Sequence, residues 1–228
     1  MIEIGLEESY RGIFIKELKN RFRCLVDIDG TEQVCYVPSS CKLGNFIDLF
    51  GRVVWLKKLP KQSELEYSLF ALETNQGLVL LNLAYANRII EQQIHRRIFS
   101  FLGKRTHVLR ERIFDGYKCD LFIVDTNTIV EIKTVLTLER HAHFPSVHSE
   151  RAECQLKHLQ QLLAKGYNVC FIFVGMGPHI KSISIDCDKD FTNAFNHCVQ
   201  QGMTYEAVRL VTTCDGKTTV KSKIPLDW

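Results

Sequence analysis

Residues 120 to 133 read Asp-Leu-Phe-Ile-Val-Asp-Thr-Asn-Thr-Ile-Val-Glu-Ile-Lys, and Asp120, Glu131 and Lys133 are of the types that handle phosphate chemistry. If the stretch forms a hairpin turning symmetrically over Val124 to Asn127, Asp120 and Glu131 stand opposite one another with side chains about 5 Å apart. Side chains alternate along a strand, so Lys133 shares a face with Glu131 while Val130 and Ile132 point into an apolar layer. Two facing carboxylates repel unless a cation or basic group neutralises them, and hard oxygen ligands suit Mg2+ or Mn2+. A metal held there polarises a phosphate and generates hydroxide from bound water, with Lys133 orienting that water or stabilising developing charge. Phosphodiester hydrolysis is the reaction this arrangement would perform. A plainer reading also fits: Asp120 begins a strand, and Glu131 with Lys133 is a weak solvent-facing pair on an edge hairpin. Asp followed by Glu-x-Lys is too loose a pattern to decide between the two.

The elements that must position these residues are read from periodicity. Short strand-like runs at Arg23 to Ile28, Glu32 to Val37, Arg52 to Leu56, Tyr67 to Leu72 and Leu78 to Leu81 are punctuated by Asp29-Gly30 and Asn75-Gln76-Gly77. Five short strands predict a small β-barrel of OB type. Composition changes near Ala84 to Asn87, where Ile90, Ile94, Ile98 and Phe101 recur at helical spacing before Gly103 and predict a helix of roughly 15 residues. Two domains are therefore expected, an OB-like nucleic-acid-binding barrel over 1–83 and an α/β (α+β) domain over 84–228. In the second, strands are expected at Val108 to Phe114, Asp120 to Val124 and Ile129 to Lys133, followed by a long His-rich loop. Ser149 then caps a helix whose stripe is Ala152, Leu156, Leu159 and Leu163, with Gly166 at its C-terminal end. A buried strand over Asn168 to Val174, a helix over Asp190 to Gln201 and a strand over Ala207 to Thr212 complete the layer.

Ordered anchors along the chain resemble those of the sugar fermentation stimulation protein A family from Asn20 almost to the C-terminus. Asn20-Arg21-Phe22 is similar to the family's opening motif, and Leu81-Asn82-Leu83 followed by Asn87-Arg88 resembles its Ile-Asn-Thr and Pro-Asn segment. Glu111 lies nine residues before Asp120, Glu131-Ile132-Lys133 resembles Glu-Val-Lys, and Phe144-Pro145 through Ser149-Glu150-Arg151 resembles Phe-Pro-Asp-Ala-x-Thr-x-Arg. The resemblance implies an OB-like N-terminal domain, a C-terminal domain similar to PD-(D/E)XK nucleases with a metal centre at Asp120, Glu131 and Lys133, and DNA binding. Departures from the pattern are equally specific. Ser39-Ser40-Cys41 replaces Asn-Thr-Gly, losing a glycine. Near Lys61 a basic Lys-Arg-Lys-Tyr cluster is absent, which weakens phosphate affinity. Gln92 stands for an acidic residue, with Glu91 adjacent, and Ala152, Cys154 and Gln155 stand for Gly, Lys and His, while Arg151 is retained as a nucleic-acid contact.

Arg21, Arg23, Lys42, Lys57 and Lys58, interleaved with Phe22, Tyr36 and Trp55, form either the charged groove and stacking platform of a single-strand-binding barrel or a solvated face over core aromatics. Glu111, on a strand beside Asp120, is a further candidate metal ligand or a strand-edge salt bridge. His141, His143 and His148, in the expected loop, are either ligands of a second metal or solvated side chains, and as clustered loop histidines without acidic neighbours they read as solvated. Net charge is only +3, so a nucleic-acid surface must come from local patches. The nine cysteines contain no Cys-x-x-Cys pair, and an odd count with no apolar leader predicts reduced thiols in a cytoplasmic protein. A metal-dependent nuclease is thus the first expectation. A non-catalytic DNA-binding regulator with the same fold is the second, and an interaction module without nucleic-acid affinity the third.

Overall fold

A computed structural model describes residues 2–3, 9–39 and 42–228, so Cys41 and its neighbour Ser40 lie outside the described residues. The chain begins with β1 (Ile2–Glu3), β2 (Ser9–Glu17), β3 (Arg23–Ile28), β4 (Thr31–Tyr36), β5 (Val53–Lys58), β6 (Tyr67–Thr74) and β7 (Gly77–Leu80). Next come α1 (Ala84–Gln93), β8 (Val108–Arg110), β9 (Ile113–Phe114), β10 (Tyr117–Lys118), β11 (Leu121–Ile123), β12 (Thr128–Val135) and β13 (His141–His143). The remainder is α2 (Glu150–Ala164), β14 (Asn168–Gly175), β15 (Ser182–Ser184), α3 (Lys189–Gln200), β16 (Thr204–Thr212), β17 (Lys217–Lys223) and β18 (Leu226–Asp227).

Strands β2 to β6 close on themselves in the order β4-β3-β2-β5-β6, with β6 returning to pair parallel with β4 at Tyr36 and Ser68. This is a five-stranded barrel, but its members differ from the five runs expected. The opening strand β2 was absent from them because it buries only Gly12 and Phe14 among its charged residues. A side chain at Gly12 would meet Asp27 O and Val26 Cγ1 at 2.6 Å, so the approach of β3, rather than any local pattern, requires glycine there. Strand β7 leaves the barrel instead and meets β16 at Leu78 and Thr212. Gly77 makes that junction possible: its φ is +126°, and a Cβ would lie 2.5 Å from Thr212 O.

One sheet therefore runs from the barrel into β16, β14, β12, β11 and β8, across the change of composition at Ala84. The parallel trio β12, β14 and β16 divides two apolar cores. On one side Val130, Ile132, Cys170 and Ile172 pack with Ile89 and Ile90 of α1 and with the barrel interior. On the other, Ile129, Phe171 and Phe173 pack under Leu156 and Leu159 of α2 and Phe191 and Phe195 of α3. Helix α2 follows the expected stripe closely, with Ser149 Oγ accepting from Ala152 N at 3.3 Å, although Leu162 is more deeply buried than Leu163.

Three local expectations differ for identifiable reasons. The helix of about 15 residues stops after Gln93, and the Ile98 and Phe101 positions fall in a separate 3-10 segment, Arg97–Leu102. Gln93 is buried and turns its amide to β17, accepting from Val220 N at 3.0 Å and donating to Thr218 O at 3.2 Å. Arg105 collects the freed carbonyls of Ile94, His95 and Arg96. Gln93→Ala leaves buried backbone groups of β17 unpaired, so a loss of about 2 kcal/mol is expected in chemical denaturation; an unchanged midpoint would contradict that role. The strand expected over Val108 to Phe114 breaks at Glu111, whose φ is +52°, and resumes in the β9–β10 hairpin. The His-rich loop contains β13, which joins β15 and β18 in a small parallel sheet.

Candidate metal centre

The hairpin that carries the centre has the expected register. Leu121 pairs with Val130 and Ile123 with Thr128, so continuing the ladder by one residue sets Asp120 against Glu131. Its turn is held by Asn127 in the left-handed region and by Asp125, whose carboxylate accepts from Thr106 Oγ1 at 2.6 Å and His107 N at 2.7 Å. Asp120 takes the place of the next ladder bond. Its Oδ2 accepts from Ile132 N at 2.7 Å, and its Oδ1 accepts from Asn87 Nδ2 of α1, also at 2.7 Å.

Glu131 is 2% exposed, on the face opposite Val130 and Ile132. Parallel pairing aligns Glu131 with Phe171 and Lys133 with Phe173, so both polar side chains rise beside the phenyl layer. Glu131 is nevertheless fully engaged. The Tyr117 hydroxyl donates to Oε2, while Oε1 accepts from Lys133 Nζ at 2.6 Å and Gln155 Nε2 at 3.0 Å. Lys133 Nζ also donates to Gln155 Oε1 at 2.5 Å. Two of the three ammonium donors are thereby used, and one is left for the cavity.

Burial, followed by the nearby charge of Glu131, pushes the Asp120 carboxyl up to about 6. Its bonds to Ile132 N and Asn87, with the more distant ammonium of Lys133, only partly offset those effects. Burial also raises the Tyr117 phenol, assisted by the Glu131 charge, which keeps it a donor. Glu131→Gln should therefore return Asp120 toward the ordinary carboxylate range, seen as a lowered titration midpoint in carboxyl-carbon NMR. A midpoint still near 6 would assign the whole effect to burial.

Asp120, Glu131 and Lys133 line a cavity of about 530 Å3 together with Asn87, Arg151 and Gln155, so the structure brings the predicted triad and Arg151 together. Glu111 is not brought in. Its backbone N lies 3.1 Å from Asp120 O, but the positive φ turns the exposed carboxylate to Lys118 Nζ at 2.6 Å. Glu91 faces Arg110 at 3.4 Å and Gln92 is exposed beside it, so neither takes the place of an acidic residue at the pair. Tyr117 escaped sequence reading because the β9–β10 hairpin delivers it, and Gln155 read only as a departure although it ties Lys133 to Glu131. The arrangement fits a hard divalent cation: two carboxylates face one ammonium, and no third His, Cys, Asp or Glu of the described residues joins them. Water would complete such a shell, as magnesium ordinarily requires.

Arg23, Tyr36, Ser68 and Lys57 lie in register across β3, β4, β6 and β5 and form one outer row. Arg23 is paired with Glu64 at 2.6 Å, and the guanidinium of Arg21 covers Phe22 at 4.8 Å. Lys57 sits over Phe70 at 4.4 Å, where burial and then Arg88 lower its pKa. Lys42 is exposed, and Trp55 donates to Glu73 at 2.8 Å away from this row. No helix of the described residues is long and apolar enough to cross a membrane.

Residues 84–216 match the model of the sugar fermentation stimulation protein RE domain. The chain is 26% identical over 229 residues to a sugar fermentation stimulation protein homolog of Methanothermobacter thermautotrophicus, covering 96% of this chain and 93% of the relative. It is 24% identical over 225 residues to the homolog of Natranaerobius thermophilus, covering 95% and 93%. Over 207 residues it is 28% identical to that of Pyrobaculum islandicum, covering 87% of each. Among solved structures it resembles Pyrococcus furiosus SfsA, described in complex with Ca2+, with a TM-score of 0.86 and 18% identity over 100% of this chain and 98% of that one. The last likeness establishes the fold.

Proposed function

The chain belongs to the sugar fermentation stimulation protein family, and we propose that it binds nucleic acid, DNA in preference to RNA, and hydrolyses phosphodiesters at a divalent-metal centre on Asp120 and Glu131. The observation that carries this reading is the uncompensated charge of the centre: two carboxylates stand together with one ammonium, which bonds Glu131 at 2.6 Å, and burial and Glu131 push Asp120 up to about 6. Bound Mg2+ or Mn2+ would supply the missing positive charge, polarise a phosphate oxygen and acidify a water. Ca2+, named with the Pyrococcus furiosus relative, is a cation of the same charge and oxygen preference.

This chain's own residues provide the rest. Tyr117 and Gln155 fix both oxygens of Glu131, and Asn87 and Ile132 N fix both of Asp120, so neither carboxylate must reorganise when it takes a cation. Lys133 directs its remaining N–H into the cavity, where it can orient a water or neutralise charge developing on phosphate. Arg151, in the first turn of α2, presents a guanidinium to the backbone of the bound strand. The barrel row of Arg23, Tyr36 and Lys57 offers charge with an aromatic face for stacking. A regulator that binds without cutting is favoured by one feature, the double engagement of Lys133 by Glu131 and Gln155.

The test is incubation of labelled single- and double-stranded DNA and RNA with Mg2+ or Mn2+, with Asp120→Asn run in parallel. Metal-dependent cleavage lost in the variant supports hydrolysis. Binding without cleavage moves the protein to the regulator reading, and no binding at any salt concentration overturns both.

A further inference from the structure

His148, in the segment between β12 and α2, meets one acidic side chain from the first turn of the helix that follows it, Glu153, and a second from forty residues away, Asp188. Strands β13 and β15 pair parallel, His141 with Ser182 and His143 with Ser184. The segments leaving them therefore travel together to the N-termini of α2 and α3. There His148 Nδ1 lies 3.0 Å from Asp188 Oδ2 and 3.4 Å from Glu153 Oε1. One ring nitrogen carries at most one proton, so it can serve as donor to only one of the two carboxylates. Asp188 takes that bond, and Glu153 Oε1 is left buried without a hydrogen-bond partner. Native proteins seldom leave a buried carboxylate oxygen so.

A shared cation answers all three groups at once. Donors at zinc distances of about 2.0–2.2 Å stand about 3.3–3.6 Å apart in a tetrahedron. The two separations from His148 are close to such an edge, and all three donor atoms lie within 4.8 Å of one another. Asp188 is held in position for the task. Its Oδ1 caps α3, accepting from Asp190 N and Phe191 N at 3.1 Å each, which leaves Oδ2 turned toward His148. The two helix N-termini carry partial positive charge, and the two carboxylates outweigh it.

We propose that His148 Nδ1, Glu153 Oε1 and Asp188 Oδ2 bind a zinc-class divalent transition-metal ion, with water completing the shell, as a clasp between the N-termini of α2 and α3. Imidazole beside two carboxylates selects such an ion over Mg2+, which prefers oxygen alone. The clasp is separate from the Asp120–Glu131 pair and does not depend on nuclease chemistry. It would hold the 143–149 segment, which walls the cavity, and the turn of α2 that carries Arg151 and Gln155 into it. A neighbouring group, His143, Asp186 and Cys187, has His143 Nδ1 3.1 Å from Cys187 Sγ and is the competing location for the same ion.

The experiment is calorimetric titration of chelator-stripped, tag-free full-length protein with ZnCl2 at neutral pH in excess Mg2+. One equivalent of zinc is expected to bind the unaltered chain, to weaken at least tenfold in His148→Ala and in Glu153→Gln, and to persist in Glu131→Gln. Zinc should also raise the thermal midpoint of the unaltered chain and not that of His148→Ala. Failure to bind zinc, or equal binding in both clasp variants, overturns the assignment. So does a thiolate charge-transfer band in the Co2+ form that vanishes in Cys187→Ser, because it moves the ion to the neighbouring group.

Discussion

Glu131→Gln is expected to lower the rate of metal-dependent cleavage by about 10^3-fold or more while changing the Kd for nucleic acid by no more than about threefold. Glutamine keeps the shape of the side chain and can still accept from Lys133, but it removes one of the two charges that hold the cation. The barrel row and Arg151 are untouched, so binding persists. Because Asp120 and Glu131 act as one centre, the double variant Asp120→Asn/Glu131→Gln should be about as slow as either single one rather than multiplicatively slower. Single-turnover rates on labelled DNA would measure all three proteins. Equal loss of binding and cleavage would show that Glu131 contributes through the fold alone, and a strictly multiplicative double variant would remove the case for a joint centre.

The second large effect couples pH to divalent metal through Asp120. Its carboxyl, near 6 in the fold against an ordinary 3.8, holds its proton more tightly folded than unfolded. The resulting stabilisation is fully present below pH 3.8 and is lost as pH rises through 6, a change of about 3 kcal/mol. Divalent metal should reverse this loss, because the cation binds the ionised form that the bare site disfavours. Urea denaturation from pH 4 to pH 8, with and without Mg2+, is expected to show no metal effect at pH 4. A stabilisation of about 2.7 kcal/mol is expected at pH 8 when the metal stands a hundredfold above its Kd. Asp120→Asn should remove this component of the pH dependence together with the metal response. A metal effect of the same size at pH 4, or one that survives in Asp120→Asn, would place the cation elsewhere.

Much of the centre was legible because it depends on local rules. The turn residues Asp125 and Asn127 set a symmetrical hairpin, strand alternation then faced Asp120 with Glu131 and Lys133, and the stripe of α2 with its Ser149 cap placed Arg151 and Gln155 nearby. What could not be read depends on partners distant in the chain. Gln93 ends α1 by bonding to β17 more than a hundred residues later, and Gly12 is demanded by β3. Tyr117 reaches Glu131 only because two-residue strands fold back on each other, and Glu111 turns away through a single positive φ. Of the acidic partners of His148, Glu153 is local to α2 but Asp188 comes from the cap of α3, forty residues on. Glu111 apart, whose turn is a local backbone feature, the deciding interaction is tertiary, and no spacing within a window of the sequence carries it.

The meeting of β7 with β16 also bears on how the protein is made. The barrel strands leave the ribosome early, yet the open side of β7 finds its partner only when residues 204–212 emerge. Until then a nascent chain presents an open strand edge at Gly77–Leu80, residues that are all buried in the finished fold, where Leu78 pairs with Thr212. Messages truncated before Thr204 would thus yield products whose barrel is formed but whose sheet is open, suited to joining edge to edge with one another. Completion of the barrel's open edge therefore depends on a strand made more than a hundred residues after it.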